Sequence, residues 1–246
     1  MTRRVIAITG AGGALGAAVS RQLAGEPDTD LVLSDVSEPS LRATIAGVET
    51  TDGGVESTVA DVSDFTQVES VIARAVERFG HLDVLISNAG VLSPNGRIHN
   101  LATEDWERAF RINVLGAVNG IRAAVAVMRP QRSGSIVLTA SVSGLTAWPY
   151  AAPYCTTKAA VIQLAKVAAV EYARDQIRVN CVCPGTFRSA IHDDLPAEAL
   201  DTIAARHPLG LGSATDLVGA YSYLCSDASR WTTGSALVVD GGYSAP

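Results

Sequence analysis

The sequence predicts an α/β fold, a doubly wound parallel sheet with helices on both faces. Short β-branched runs alternate with helical stretches along the chain. The runs are almost uninterrupted in apolar residues, as strands covered on both faces require. The first run leads straight into a glycine-rich turn and a helical stretch, the opening of a βαβ unit.

In chain order, Val5-Ile6-Ala7-Ile8 is the first strand, and Thr9-Gly10-Ala11-Gly12-Gly13-Ala14-Leu15-Gly16 follows it. Glycines at a strand-to-helix turn let backbone approach a pyrophosphate, and the helix behind them supplies free N–H groups and a positive dipole end. Gly12 and Gly16 stand four apart rather than three, so a tight structural turn is the plain alternative. Leu31-Val32-Leu33 is the second strand and Asp35 stands at its end. A carboxylate there accepts hydrogen bonds from an adenosine ribose diol and repels a 2′-phosphate, selecting NAD over NADP; a turn or cap aspartate is the alternative. Asp61 follows a third strand and either meets an adenine amino group or caps the next helix.

Between Asp64 and Gly80, Val68, Val71, Ile72, Ala75, Val76 and Phe79 recur at three and four, one face of an amphipathic helix. Val84-Leu85-Ile86, Ile136-Val137-Leu138, Ile177 to Val182 and Leu237-Val238-Val239 are the remaining strands. Ile112 to Met128 and Ala159 to Tyr172 are helices apolar around their whole circumference, each expected to be buried on two sides, the second most simply another subunit. Residues 186–212 form a long insertion before a helix starting near Thr215, expected to act as a substrate lid.

With 246 residues, no internal repeat and no linker, the chain is expected to be one domain. Hydrophobic residues make up 48% and charged ones 18%, and the mean hydropathy of +0.22 calls for a large core or subunit association. A net charge of -6 and no basic run argue against nucleic acid. Apolar stretches are broken well short of the ~20 residues of a membrane span, and the glycine turn comes too early for a signal peptide, so a cytoplasmic location is expected. The four cysteines, 155, 181, 183 and 225, have no clustered histidines to complete a metal set and read as buried thiols.

Of the chain's two lysines, Lys158 lies four residues after Tyr154, on the same face of a predicted helix. A neighbouring ammonium favours the phenolate and is expected to lower the tyrosine pKa, fitting it for proton exchange. Together with Thr9-Gly10-x3-Ala14-x-Gly16, Asp61-Val62, Asn88-Ala89-Gly90, Asn113, Ser141, Pro184-Gly185 and Val239-Asp240-Gly241-Gly242, this pair makes the chain resemble the short-chain dehydrogenase/reductase family from Thr9 to Gly242.

The resemblance implies a Rossmann-type fold and a catalytic tetrad of Asn113, Ser141, Tyr154 and Lys158, with Ser143 as the rival serine. It implies that Lys158 also holds the nicotinamide ribose and that Asn113 holds a water linking Lys158 to solvent. Expected cofactor contacts are Gly10, Gly12, Gly13, Ala14, Leu15, Gly16, Asp35, Val36, Asp61, Val62, Asn88, Ala89, Gly90, Tyr154, Lys158, Pro184, Gly185, Thr186 and Ser189. A homotetramer is implied as well. Ala14 stands where glycine is commoner, and His207-Pro208-Leu209-Gly210-Leu211-Gly212 resembles a family stretch that carries an arginine where this chain does not.

The expected activity is NAD-dependent interconversion of a secondary alcohol and a ketone. Its rivals are an NADPH-linked 3-oxoacyl-[acyl-carrier-protein] reductase and a nicotinamide-binding regulator without catalysis. Phe187, Ile191, Leu195, Leu200 and Ile203, with Arg188, His192, Asp193 and Asp194, are expected on the lid, facing Val91, Leu92, Leu145, Trp148 and Tyr150; core or subunit contact is the alternative for each. That lining, without a basic cluster along the chain, points to a medium-sized, largely apolar or alicyclic substrate.

Overall fold

The computed structural model describes residues 3–189 and 197–245. Seven parallel strands form one sheet in the order β3-β2-β1-β4-β5-β6-β7: β1 (Arg4–Thr9), β2 (Thr29–Asp35), β3 (Val55–Val59), β4 (Val84–Ser87), β5 (Gly134–Thr139), β6 (Ile177–Pro184) and β7 (Ala236–Val239). The order reverses between β1 and β4, and the C-terminal ends on either side of such a switch point open a crevice. Ile6 and Ile8 face one layer of the core while Val5 and Ala7 face the other, which is why the central strands are apolar at every position.

One face is covered by α1 (Ala14–Ala24) and α8 (Ala214–Cys225), and α2 (Glu38–Ala46) packs beside β2 and β3. The other carries α3 (Phe65–Phe79), α5 (Gly116–Gln131) and α6 (Ala152–Tyr172). The Asp64 carboxylate caps α3 by accepting from the N–H groups of Thr66 and Gln67, and Gly80 closes it in the left-handed region at φ 89°.

The predicted helix from Ile112 begins earlier. From α4 (Thr103–Ala109) the chain passes through a π-helical turn, Phe110–Leu115, into α5, and that turn carries Asn113. The run Thr103–Gln131 is long and apolar enough, by length and composition, to cross a membrane, yet it packs on the sheet and half of its most apolar window is buried there. Neither long helix is buried all round in the single chain. The outer stripe of α5 exposes Arg122, Ala126 and Arg129, and that of α6 exposes Gln163, Lys166, Val167 and Val170.

Residues 186–212 are not a bare loop, since α7 (Ala197–Ala204) lies within them. Their ends are tied together where Phe187 bridges to Gly212 and the Arg188 N–H donates to the Gly212 carbonyl at 2.9 Å.

Candidate active site

At the C-terminal ends of β1, β2, β4, β5 and β6 a single cavity of about 860 Å³ runs from Asp35 to Tyr154. The glycine turn forms its near wall, and two glycines there are sterically required. A Cβ on Gly16 would stand 2.1 Å from the Gly10 carbonyl oxygen, and one on Gly10, itself at φ 66°, would stand 2.7 Å from Ala89 Cα. Gly13 caps α1 with no side chain, leaving the first N–H groups of the helix without a side-chain partner. Gly10, Gly13, Ala14, Leu15 and Gly16 line the cavity. Gly12 instead packs behind it, its N–H donating at 2.9 Å to Asp35 Oδ2.

Neither aspartate caps the helix that follows it, although each carboxylate closes a turn with the N–H two residues on. Ser37 caps α2, and Asp35, its Oδ1 accepting from the Ser37 N–H at 2.8 Å, keeps acceptor capacity beside exposed Val36 in the cavity wall. Asp64 caps α3, so Asp61 is left with the Ser63 N–H at 2.8 Å and with the cavity. Val62 beside it is buried and fixed by Asn119, whose Nδ2 donates to the Val62 carbonyl at 2.9 Å.

A buried hydrogen-bond chain, absent from the sequence reading, joins the two ends of this site. Asn88 Nδ2 donates to the Gly10 carbonyl at 3.0 Å, and Asn88 Oδ1 accepts from Thr139 Oγ1 at 3.1 Å. The single Thr139 hydroxyl proton is thereby committed, so the fully buried Tyr221 hydroxyl, 2.8 Å from Thr139 Oγ1, is the donor to it. The carbonyl of the same Thr139 accepts from Lys158 Nζ at 2.8 Å. Neither Thr139 nor Tyr221 belongs to a local motif; the parallel register of β4 and β5 brings Thr139 to Asn88, and the packing of α8 on β5 brings Tyr221 to Thr139.

Pro153 starts α6 in a position where its missing N–H costs nothing, and the helix then carries Tyr154 and Lys158 one turn apart. Ser141, just past the end of β5, lines the cavity with Tyr154 and lies near enough to favour its phenolate. The rival Ser143 is buried, does not line the cavity, and donates its N–H to Ser141 Oγ at 3.1 Å, helping to orient it. Asn113 clamps the Gly90–Val91 segment: its Oδ1 accepts from the Val91 N–H at 2.8 Å, and its Nδ2 donates to the Val91 carbonyl and to Thr157 Oγ1, both at 3.0 Å. A side chain at Gly90 would reach within 3.2 Å of Asn113 Oδ1 and 3.3 Å of Lys158 Nζ.

The expectation that Lys158 lowers the Tyr154 pKa is corrected. Burial dominates and holds Tyr154 above its ordinary value, with the nearby Ser141 hydroxyl opposing it, and burial also pulls Lys158 down to about 8. The Lys158 ammonium is turned toward the Thr139 carbonyl and lies 5.7 Å from the Tyr154 ring centre, where it offers the phenolate little.

On the far side, Val91, Leu92, Trp148, Phe187 and Ile203 line the cavity as expected, with Pro184, Gly185, Thr186 and Ser189 below them. Leu145, Tyr150 and Leu200 do not line it. Tyr150, at φ 70°, borders a separate groove with Asn95, Gly96 and Pro149. Ile191, His192, Asp193, Asp194 and Leu195 lie outside the described residues. The lining residues that went unread include His207 and two arginines. His207 is buried, accepts the Thr186 N–H on Nε2 at 3.1 Å and donates Nδ1–H to the Ile203 carbonyl at 2.9 Å, so it fastens α7 to the end of β6. The arginines are Arg108 and Arg206, and no stretch of sequence groups them because they come from α4 and from the end of α7.

The family described as enoyl-(acyl carrier protein) reductase matches residues 10–244. A 3-oxoacyl-[acyl-carrier-protein] reductase of Thermotoga maritima is 34% identical over 240 residues, 97% of each chain. A cis-4-hydroxycyclohexanecarboxylate dehydrogenase of Sinomonas cyclohexanicum is 36% identical over 245 residues, 98% of this chain and 97% of that one. The crystal structure of an NAD+-bound xylitol dehydrogenase superposes with a TM-score of 0.91 at 30% identity, covering 97% and 98% of the two chains.

The chain belongs to the short-chain dehydrogenase/reductase family. Membership explains why Ser141, Tyr154 and Lys158 stand at one end of the cavity and the glycine turn at the other, and it makes the protein an oxidoreductase of a family that uses nicotinamide cofactors.

Proposed function

We propose that the protein interconverts a secondary alcohol and a ketone with NAD(H) as its cofactor. The observation that carries this is a cavity closed at one end by the Asp35 carboxylate and at the other by the Ser141–Tyr154 pair. The residues fit a dinucleotide: Gly10 and Gly16 hold the turn in a shape that admits no side chain, Gly90 keeps the surface beside Lys158 clear, and the uncapped start of α1 borders the cavity. Asp35 would receive the adenosine ribose, Asp61 and Val62 would border the adenine, and Lys158 and Thr186 would flank the nicotinamide end. When bound, the nicotinamide supplies hydride chemistry.

The chain's own residues hold and move the proton. Ser141 Oγ positions the substrate oxygen, and Tyr154, a phenol at neutral pH because burial raises its pKa, gives its proton to a ketone oxygen or, as phenolate at higher pH, takes one from an alcohol. The Thr139 carbonyl fixes the Lys158 ammonium beside it. The apolar wall of Val91, Leu92, Trp148, Phe187 and Ile203 suits an alicyclic body, and the printed name of the Sinomonas relative supports that class. A cytoplasmic homotetramer belongs to the same proposal.

The Thermotoga relative favours a second reading, NADPH-linked reduction of carrier-bound 3-oxoacyl groups. Initial rates with a panel of secondary alcohols and ketones, at matched NAD(H) and NADP(H), separate the two. NAD should be preferred at least tenfold and alicyclic substrates should be turned over. Equal or better rates with NADP, or a tenfold higher kcat/KM on a carrier-bound 3-oxoacyl thioester, would install the second reading.

A further inference from the structure

Resting on the proposed activity, we infer that the substrate carries one carboxylate remote from the reacting carbon and that Arg206 holds it. Arg206 is an exposed residue at the cavity wall, and its side chain has no ion pair or hydrogen bond among the described residues. Several arginines elsewhere are committed: Arg3 just before β1, Arg4 on β1 and Arg78 on α3 all pair with carboxylates. In a chain of net charge -6, a guanidinium left open in the wall of an apolar cavity is matched to an anion from outside.

The place of Arg206 in the cavity wall points to the part of a ligand it meets. Arg206 adjoins His207, whose ring lies 4.8 Å from that of Tyr243. Tyr243 in turn meets Trp148 at 6.1 Å, and Trp148 meets Tyr154 at 6.4 Å. This aromatic row ties the Arg206 end of α7 to the proton-exchanging tyrosine, the opposite end of the cavity from Asp35. The anion therefore belongs to the substrate and not to the adenosine half of the cofactor. Because His207 is fastened to the Thr186 N–H and the Ile203 carbonyl, the helix end that presents Arg206 is held in place. One arginine suits a single carboxylate; polyanionic phosphates need more cationic partners than this end provides.

Two measurements test it. In the first, kcat/KM is compared for alicyclic secondary alcohols that differ only in bearing a carboxylate or the corresponding carboxamide. The carboxylate should be favoured at least tenfold, and Arg206→Gln should reduce that ratio about tenfold through KM. Arg108→Gln, on the α4 side, should move the ratio by less than threefold. Equal efficiency on the two alcohols, an Arg206→Gln ratio equal to the parent's, or a phosphorylated carrier thioester preferred over the carboxylate would overturn the inference.

In the second, cyclohexanecarboxylate binding to the NADH-saturated protein is titrated calorimetrically, with the carboxamide as control. Tight carboxylate binding that is lost in Arg206→Gln upholds the site even if no alcohol in the panel is oxidised, an outcome that would fail the proposed activity alone. An Arg206→Gln defect confined to NADH affinity would assign the residue to the cofactor and end the proposal.

Discussion

Lys158 is the most costly residue in this fold. It is 4% exposed, its ammonium donates to the Thr139 carbonyl, and burial pulls its pKa from 10.5 to about 8. That depression corresponds to about 3 kcal/mol of destabilisation, fully present below pH 8 and relieved as pH rises from 8 toward 10.5, where the unfolded chain alone still holds the proton. Lys158→Met should therefore raise the Tm of the cofactor-free protein by a few degrees at pH 7, net of the bond lost to Thr139, while abolishing turnover. The gain should shrink toward pH 10. Thermal unfolding of both proteins across that range checks it, and a lower Tm for the variant at pH 7 contradicts it. Tyr154→Phe is the complementary case: the ring still packs near Trp148, so folding should survive while kcat falls on the order of 10²-fold or more. Near-normal turnover would remove Tyr154 from the proton path.

At the scale of elements, what the sequence disclosed and what it hid divide along physical lines. Continuous apolar runs are a strong local signal, so β1, β2, β4, β5, β6 and β7 were legible. Edge strand β3, VESTV, alternates polar with apolar residues and has no such run. Glycine turns and the Tyr154/Lys158 spacing are local patterns and were legible too, whereas His207, Arg206, Arg108, Thr139 and Tyr221 act through contacts between distant segments. The π turn at Asn113 has no sequence signature; it follows from the clamp on Val91.

The Tyr221–Thr139–Asn88–Gly10 chain gives this lesson a test. Tyr221 sits on α8, touches neither cavity nor motif, and yet donates the proton that orders Thr139, whose two oxygens face Asn88 and Lys158. Tyr221→Phe keeps the buried ring and deletes only that donor. Cofactor KM should rise several-fold, with a smaller fall in kcat and a Tm lower by a few degrees. A variant that loses stability with unaltered cofactor KM would show the chain to be a matter of packing alone.

At the scale of the whole molecule, the composition calls for a large core or subunit association, and the single chain leaves several large apolar groups exposed. The two helical layers bury the central strands, but Leu115 is 52%, Val167 45%, Val170 80% and Trp231 97% exposed. Leu115 lies on the π turn that contacts α6, and Val167 and Val170 lie on the outer stripe of α6, so the exposed apolar groups sit on the elements that carry Asn113 and the Tyr154/Lys158 pair. Scattered single apolar residues need no explanation, but a stripe beside catalytic elements does. Closing it against a symmetry-related copy would stiffen α5 and α6 from behind, and two-fold faces of this kind build dimers and tetramers. Light scattering at micromolar concentration should therefore report about 102 kDa, four chains of 25.5 kDa. Val170→Glu should lower that mass and, because α6 then lacks its backing, reduce kcat as well. A 25.5 kDa species with full activity would mean that the single chain holds its catalytic residues in place unaided.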